Sequence, residues 1–345
     1  MVYSIDYTSK LWYYFIIQTI YQLYINLYSQ GGFILSKETI TNNSDIQIIG
    51  LDIGRGYVKG YTEYNETPRE CLFKSTVALG RDMNFENFDD PIYIEVNDEE
   101  YFAGILAEVE GDTAVSNLKD DKTTSVCQKL MFAALNKLAV VEDIKIMLGV
   151  PNKMFKKSVL NDIVNTYKGL SLKIKDKING SYKNINIKDI SIFREGDAAL
   201  LKYVDGKDNF ENTLCMVTVG FRTTEFSCYS NDLKFNDKLS DTKEIGNKTA
   251  LEFVQRKLKA KGTIKTLQEI DTSSRYDDLK EIAYKNLSEY IEQEIESVYT
   301  NMNEVDVFIA GGTALNLNFK DYTVVNDAQM LTAKGLYLVG TNKFK

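Results

Sequence analysis

Apolar residues recur along this chain with two different periods, and the switches between them outline the fold. From Ile46 to Ile53 the run IQIIGLDI reads as a buried strand. Tyr57–Tyr64 alternates as the next strand, and two glycines make the tight turn between them. PIYIEVNDEEYFAGILAE reads as a hairpin turning at Asn97-Asp98. A helix follows from about Thr123 to Ala139, with Val126, Leu130, Ala133, Ala134 and Leu138 on one face. Ile144–Val150 is a short strand stopped by Pro151, and Lys153–Tyr167 is helical. A long hairpin then turns at Asn179-Gly180, and residues Glu195–Tyr203 start a helix.

After Leu214 the pattern restarts. CMVTVGFRTTEFSCYS is again strand, glycine turn, strand. Thr249–Ala260 and Tyr276–Met302 are helical, Asp306–Ala310 is a buried strand ending at Gly311-Gly312, and a helix near Gln329–Leu338 finishes the chain. Strand, glycine turn, strand, then helices: the unit occurs twice, and this duplication carries more weight than any single motif.

The first 45 residues stand outside that scheme. Leu11 to Ser36 contains no charged side chain and is dense in aromatics, yet Gln18, Gln22 and Asn26 form a polar stripe at helical spacing. A transmembrane span fits the stripe less well than an amphipathic helix over residues 11–28, lying on a membrane or a partner. An extension outside the fold is the equal alternative.

Composition narrows the chemistry. The chain has 345 residues, enough for two domains with a cleft between them, and a net charge of −8 that disfavours direct contact with DNA phosphates. Histidine is absent, which removes Ser-His-Asp and Cys-His catalysis and His-ligated metals. Cys71, Cys127, Cys215 and Cys228 are scattered, giving no support to a disulfide framework and favouring a reducing cytosol.

Four motifs carry the remaining chemistry. In Asp52-Ile53-Gly54-Arg55-Gly56-Tyr57-Val58-Lys59, a carboxylate ends a buried strand, where a hydrated Mg²⁺ is a good partner. The glycines let backbone N–H groups approach phosphate oxygens, and Lys59 adds a point charge. Val219-Gly220-Phe221-Arg222-Thr223-Thr224-Glu225 is the equivalent turn of the repeat. Glu195, where a strand passes into a helix, suits a residue that orients or deprotonates water. It suits equally an acid favoured by the helix dipole. Ile309-Ala310-Gly311-Gly312-Thr313 passes from strand to helix, and its glycines admit a flat ligand while the helix N-terminus favours an anion. Taken singly, each is also an ordinary turn.

Together the four stand in the order of the actin/chaperone/sugar-kinase ATPase superfamily. Over residues 46–345 the chain most resembles the ParM-type plasmid-segregation actins, a likeness that YFAGILAE, LGVPNKMF and AQMLTAKGLYLVG share. The resemblance implies an α/β, actin-like (ribonuclease H-like, duplicated) fold of two domains around a nucleotide cleft. Domain I would span 46–214, with an inserted hairpin subdomain at about 71–118, and domain II 215–325, with 326–345 returning to domain I. It implies an ATPase using ATP or GTP with Mg²⁺, cytoplasmic, assembling with itself into a polar filament. A ParR-type adaptor would link that filament to plasmid DNA.

Carried over by position, Asp52 resembles the carboxylate that holds the metal through water. Gly54, Arg55, Gly56, Tyr57 and Lys59 resemble the first phosphate loop, and Glu195 the water-positioning acid. Gly220, Arg222, Thr223 and Thr224 resemble the second phosphate loop, Gly246 a glycine near the nucleotide, and Gly311, Gly312 and Thr313 the adenosine turn. Two positions depart from the pattern: Thr218 stands where the family usually has Asp, which implies slow hydrolysis, and Arg55 where actin has a small hydroxyl residue. A membrane-attached scaffold and a small-molecule kinase of the same superfamily are the rival readings.

Overall fold

The computed structural model describes residues 46–344, so the aromatic run at 11–28 lies outside the described residues. Strand β1 (Ile46–Ile53) pairs antiparallel with β2 (Tyr57–Tyr64), which pairs with β3 (Thr67–Lys74). β3 carries Pro68 and is an edge strand, where a missing N–H costs no ladder bond. Next come β4 (Thr76–Leu79), β5 (Ile92–Val96), β6 (Glu99–Ala103), the short helix α1 (Ile105–Glu110) and β7 (Asp112–Ser116). Asn97 and Asp98, both with positive φ, make the tight turn between β5 and β6. Helix α2 (Ser125–Leu138), β8 (Asp143–Val150), helix α3 (Lys157–Tyr167), β9 (Ser171–Asp176), β10 (Tyr182–Arg194) and helix α4 (Glu195–Val204) complete the first half. Helix α3 starts later than the pattern implies, because Asn152–Met154 form a separate 3-10 turn after Pro151.

The second half repeats the plan. β11 (Thr213–Val219), β12 (Thr224–Tyr229) and β13 (Asp241–Lys243) form an antiparallel run. Helices α5 (Asn247–Ala260), α6 (Leu267–Thr272) and α7 (Asp277–Val298) lead to β14 (Val305–Ala310), which pairs parallel with β11. This sheet has the order β13-β12-β11-β14, and the larger sheet contains β3-β2-β1-β8 with the same parallel and antiparallel pairings. The duplication read from the sequence is thus a duplication of topology. Each sheet has its own apolar core, one around Ile49, Leu51, Ile146 and Leu148, the other around Val217, Phe226, Leu251 and Ile291.

Two findings correct expectations. Cys215 and Cys228 are joined by a disulfide, although their spacing gave no sign of one. They face each other across β11 and β12, and Cys228 turns its N–H and carbonyl away from β11, to Ser240 and Asn236. Such non-hydrogen-bonded pairs are the closest in an antiparallel ladder, and here the Cα atoms are 4.3 Å apart. Secondly, the Gly311-Gly312 turn leads into a four-residue 3-10 turn, Thr313–Asn316, and not an α-helix. A single short turn sums too few peptide dipoles to act as an anion site.

The last helix, α8 (Leu331–Lys343), packs on β1 and crosses α4. A Cβ on Gly335 would lie 1.9 Å from the Ala198 carbonyl oxygen, so the helices touch backbone to backbone. Gly335→Ala therefore forces them apart. We expect a loss of about 1–3 kcal/mol, read as a lower urea midpoint with an unchanged slope.

Candidate functional site

The glycine turns of the two sheets face one cavity of about 320 Å³. The turns are built alike: Gly54 donates its N–H to the Tyr57 carbonyl at 3.1 Å, and Gly220 donates to that of Thr223 at 2.8 Å. They also meet, since Gly56 lies against the Phe221 side chain. The first turn is held from behind by Ser75 and Asn117, which both donate to the Gly54 carbonyl.

On the first wall, Asp52 and Lys59 are direct partners across β1 and β2. Lys59 donates to Asp52 Oδ2 at 2.7 Å, leaving the buried Oδ1 without a partner. Arg55 pairs with Asp120, and its buried Nε and Nη1 lack acceptors. Asp120 also takes Lys153, Lys153 pairs with Glu244, and Glu244 pairs with Arg222 on the second turn. One chain of charges therefore links Arg55 on the first turn to Arg222 on the second. Tyr57 also lines the cavity.

Glu195 is the first residue of α4 and reaches the cavity floor. A Cβ on Gly149 would sit 2.8 Å from Glu195 Cγ, so the glycine leaves room for the side chain. Lys122, almost fully buried, donates to Glu195 Oε1 at 3.2 Å and to the Ile53 carbonyl at 2.7 Å. Burial pushes the Glu195 carboxyl above its ordinary value; the Lys122 charge opposes that push, and Asp52 adds to it. Burial pulls the Lys122 ammonium down, but the charges around it, Glu195 foremost, outweigh this and hold it up.

On the second wall, Gly220, Arg222 and Thr223 line the cavity, whereas Thr224 and Gly246 stand behind it. Thr224 donates to the Ile245 carbonyl, and Gly246 packs against the backbone of Gly220 and Phe221 at the start of α5. The first N–H groups of α5 are used by that turn, Asn247 to Gly220 and Lys248 to Phe221. Thr218 and Glu225 also line the cavity, each with a buried oxygen that has no partner. Burial first, and the Glu195 charge next, push the Glu225 carboxyl well above the carboxylate range.

At the far end lie Gly311, Gly312 and Thr313. Gly311 has φ 99° and comes so close to Val219 that a Cβ would lie 2.3 Å from its carbonyl oxygen, so only glycine fits. Thr313 donates to the Gly220 carbonyl at 2.9 Å, tying this turn to the glycine turn of the second wall. Asp271 lines the cavity and also a hollow beside it, where Lys74 pairs with it at 2.6 Å. Burial works against the Lys74 ammonium, but Asp271 overcomes it and raises the pKa to about 12.

Lys122, Glu225, Asp120 and Asp271 had not been singled out from the sequence. Of these, only Glu225 carried a readable signal: counted from the twin turns, it occupies the place of Lys59. Among the described residues, no group of three or more Asp, Glu, Cys or His side chains stands ready to hold a metal ion by itself. Nor is any helix there long and apolar enough to cross a membrane.

Comparison with known proteins agrees with this architecture. Residues 50–196 match the family described as actin like proteins N terminal domain. Curated protein sequences give no match. Among solved structures, a 15-stranded ParM filament from Clostridium botulinum superposes with a TM-score of 0.74 at 20% identity, covering 86% of this chain and 99% of that one. An archaeal actin homolog in complex with ADP gives 0.69 at 17% identity, over 85% and 99% of the two chains. A Bacillus thuringiensis ParM with AMPPNP gives 0.63 at 12% identity, over 88% and 100%. Residues 50–196 thus resemble the N-terminal domain of actin-like proteins, and the overall fold is that of the ParM-type actin-like structures.

Proposed function

We propose that this protein is a nucleotide-driven, actin-like filament former of the ParM type. The observation that carries the reading is where the unsatisfied polar atoms lie. Nine buried side-chain atoms lack a partner among the described residues, and five of them belong to Asp52, Arg55, Thr218 and Glu225 on this one cavity. Each such atom costs about 1–3 kcal/mol if nothing meets it, so their convergence marks a site that a polar ligand completes. The donors of Arg55 and Lys59 suit phosphate oxygens, and the acceptors Asp52 and Thr218 suit the waters of a hydrated divalent cation.

Bound as its magnesium complex, ATP or GTP would supply the phosphoanhydride bond whose hydrolysis the protein uses. Gly54, Gly56 and Tyr57 on one turn, and Gly220, Arg222 and Thr223 on the other, would embrace the phosphates. Gly311, Gly312 and Thr313 would floor the nucleoside. Glu195, held by Lys122, would take the proton of the attacking water or orient it. Domain I (46–214) and domain II (215–325) would close on the nucleotide into the form that adds to a filament end, a head-to-tail contact that leaves the polymer open. A ParR-type adaptor would join the filament to plasmid DNA, because a chain of net charge −8 is poorly suited to binding DNA phosphates itself. That related structures are a filament and complexes with ADP and AMPPNP supports the reading.

Electron microscopy of the purified protein tests it directly. Filaments are expected with ATP or GTP plus Mg²⁺, with steady phosphate release, and none without nucleotide. Nucleotide-independent polymers, or no polymers under any condition, would contradict the proposal.

A further inference from the structure

The twin turns can be laid over one another by their own hydrogen bonds. Two residues before the turn glycine stand Asp52 on the first wall and Thr218 on the second. Two residues after the accepting carbonyl stand Lys59 and Glu225. Both are direct cross-strand pairs, Asp52 with Lys59 and Thr218 with Glu225. The acid has therefore changed strands between the two halves. Cross-strand partners point to the same face with Cβ atoms only about 4.5–5.5 Å apart. A carboxylate at 225 thus reaches the space that one at 218 would fill.

Glu225 is also placed as a ligand would need it. Its residue is 3% exposed, it lines the cavity, and its Oε2 is without a partner, as is the Oγ1 of Thr218 beside it. Its other oxygen, Oε1, accepts the Asn152 N–H from the first half at 3.3 Å, which aims the side chain across the cleft. Among the described residues no three acidic side chains are grouped so as to hold an ion by themselves, so the arrangement does not suit a bare ion. Two carboxylates on facing walls suit a small divalent cation that keeps most of its waters and shares phosphate oxygens.

We propose that Glu225 is the second-wall carboxylate that anchors the hydrated divalent cation of the bound nucleotide, in place of the acid that Thr218 lacks. The inference rests on the nucleotide-binding reading above. It removes the reason to expect slow hydrolysis from Thr218, because the carboxylate is displaced to the next strand and not lost.

Binding of a fluorescent ATP analogue, followed while Mg²⁺ is titrated and again in EDTA, tests the assignment without relying on turnover. Glu225→Gln is expected to raise the Mg²⁺ midpoint about 10- to 100-fold while affinity in EDTA stays the same or improves. Glu225→Asp should shift the midpoint less in the same direction. Adding Thr218→Asp to Glu225→Gln should bring it back toward wild type. An unchanged Mg²⁺ midpoint in Glu225→Gln overturns the inference. So does an equal loss of affinity with and without metal, which would make Glu225 a structural brace for Asn152. Wild-type protein that binds no nucleotide at all would instead overturn the proposed function.

Discussion

Glu195→Gln is expected to leave ATP binding within about twofold of wild type and to slow phosphate release by about 10²- to 10⁴-fold, the span associated with a lost general base. The side chain stands at the start of α4, in the room that Gly149 leaves, and Lys122 fixes one of its oxygens. Gln keeps the shape and the acceptor but cannot take a proton. The pH profile gives a second readout. Burial holds the Glu195 pKa above its ordinary value, and the acting form is the carboxylate, so the wild-type rate rises with pH through that raised value. Glu195→Gln should lose both the rate and the rise. A variant that hydrolyses ATP at the wild-type rate, with the same pH profile, would remove Glu195 from the mechanism.

How much was legible depended on whether a feature is written in local spacing or in register. The strand, glycine turn and strand at Ile46–Tyr64, and again at Thr213–Tyr229, were readable because Gly54 and Gly56 in the first and Gly220 in the second interrupt apolar runs. β3 carries no such signal: its turn uses Asn65 and Glu66, both at positive φ, in place of Asn-Gly, and Pro68 is a residue that strand interiors disfavour. The Cys215–Cys228 bond is a register fact that spacing alone does not contain. Lys122 sits in a run, Lys119 to Lys122, that reads as a solvated charge cluster. Only the fold turns its side chain inward between β1 and Glu195. The glycines of the site were readable because turns demand them locally, and Asp52, Arg55, Lys59 and Glu195 were readable with them as parts of the same short motifs. Lys122, Asp120 and Asp271 were not, because segments far from those motifs in sequence bring them to the cavity.

That hidden lysine is where the second large effect is expected. Lys122 is 4% exposed, and its ammonium group satisfies the Ile53 carbonyl at the end of β1 as well as Glu195. Tyr167 donates its hydroxyl to the Lys122 carbonyl and so fixes the backbone from which the side chain reaches in. Lys122→Met keeps much of the apolar stem but leaves a buried carbonyl and a partly buried carboxylate with no cation between them. Removing one partner of such a pair costs about 3–5 kcal/mol, which a urea titration would show as a large fall in midpoint at constant slope. The stranded charge supplies most of that cost, so a second substitution should refund part of it. Lys122→Met with Glu195→Gln is expected to be more stable than Lys122→Met alone, giving a coupling energy of about 1–3 kcal/mol in the double-mutant cycle. Additive losses would mean that Lys122 acts through the β1 carbonyl alone. Glu195 would then have to be held on the cavity floor by something other than this ion pair.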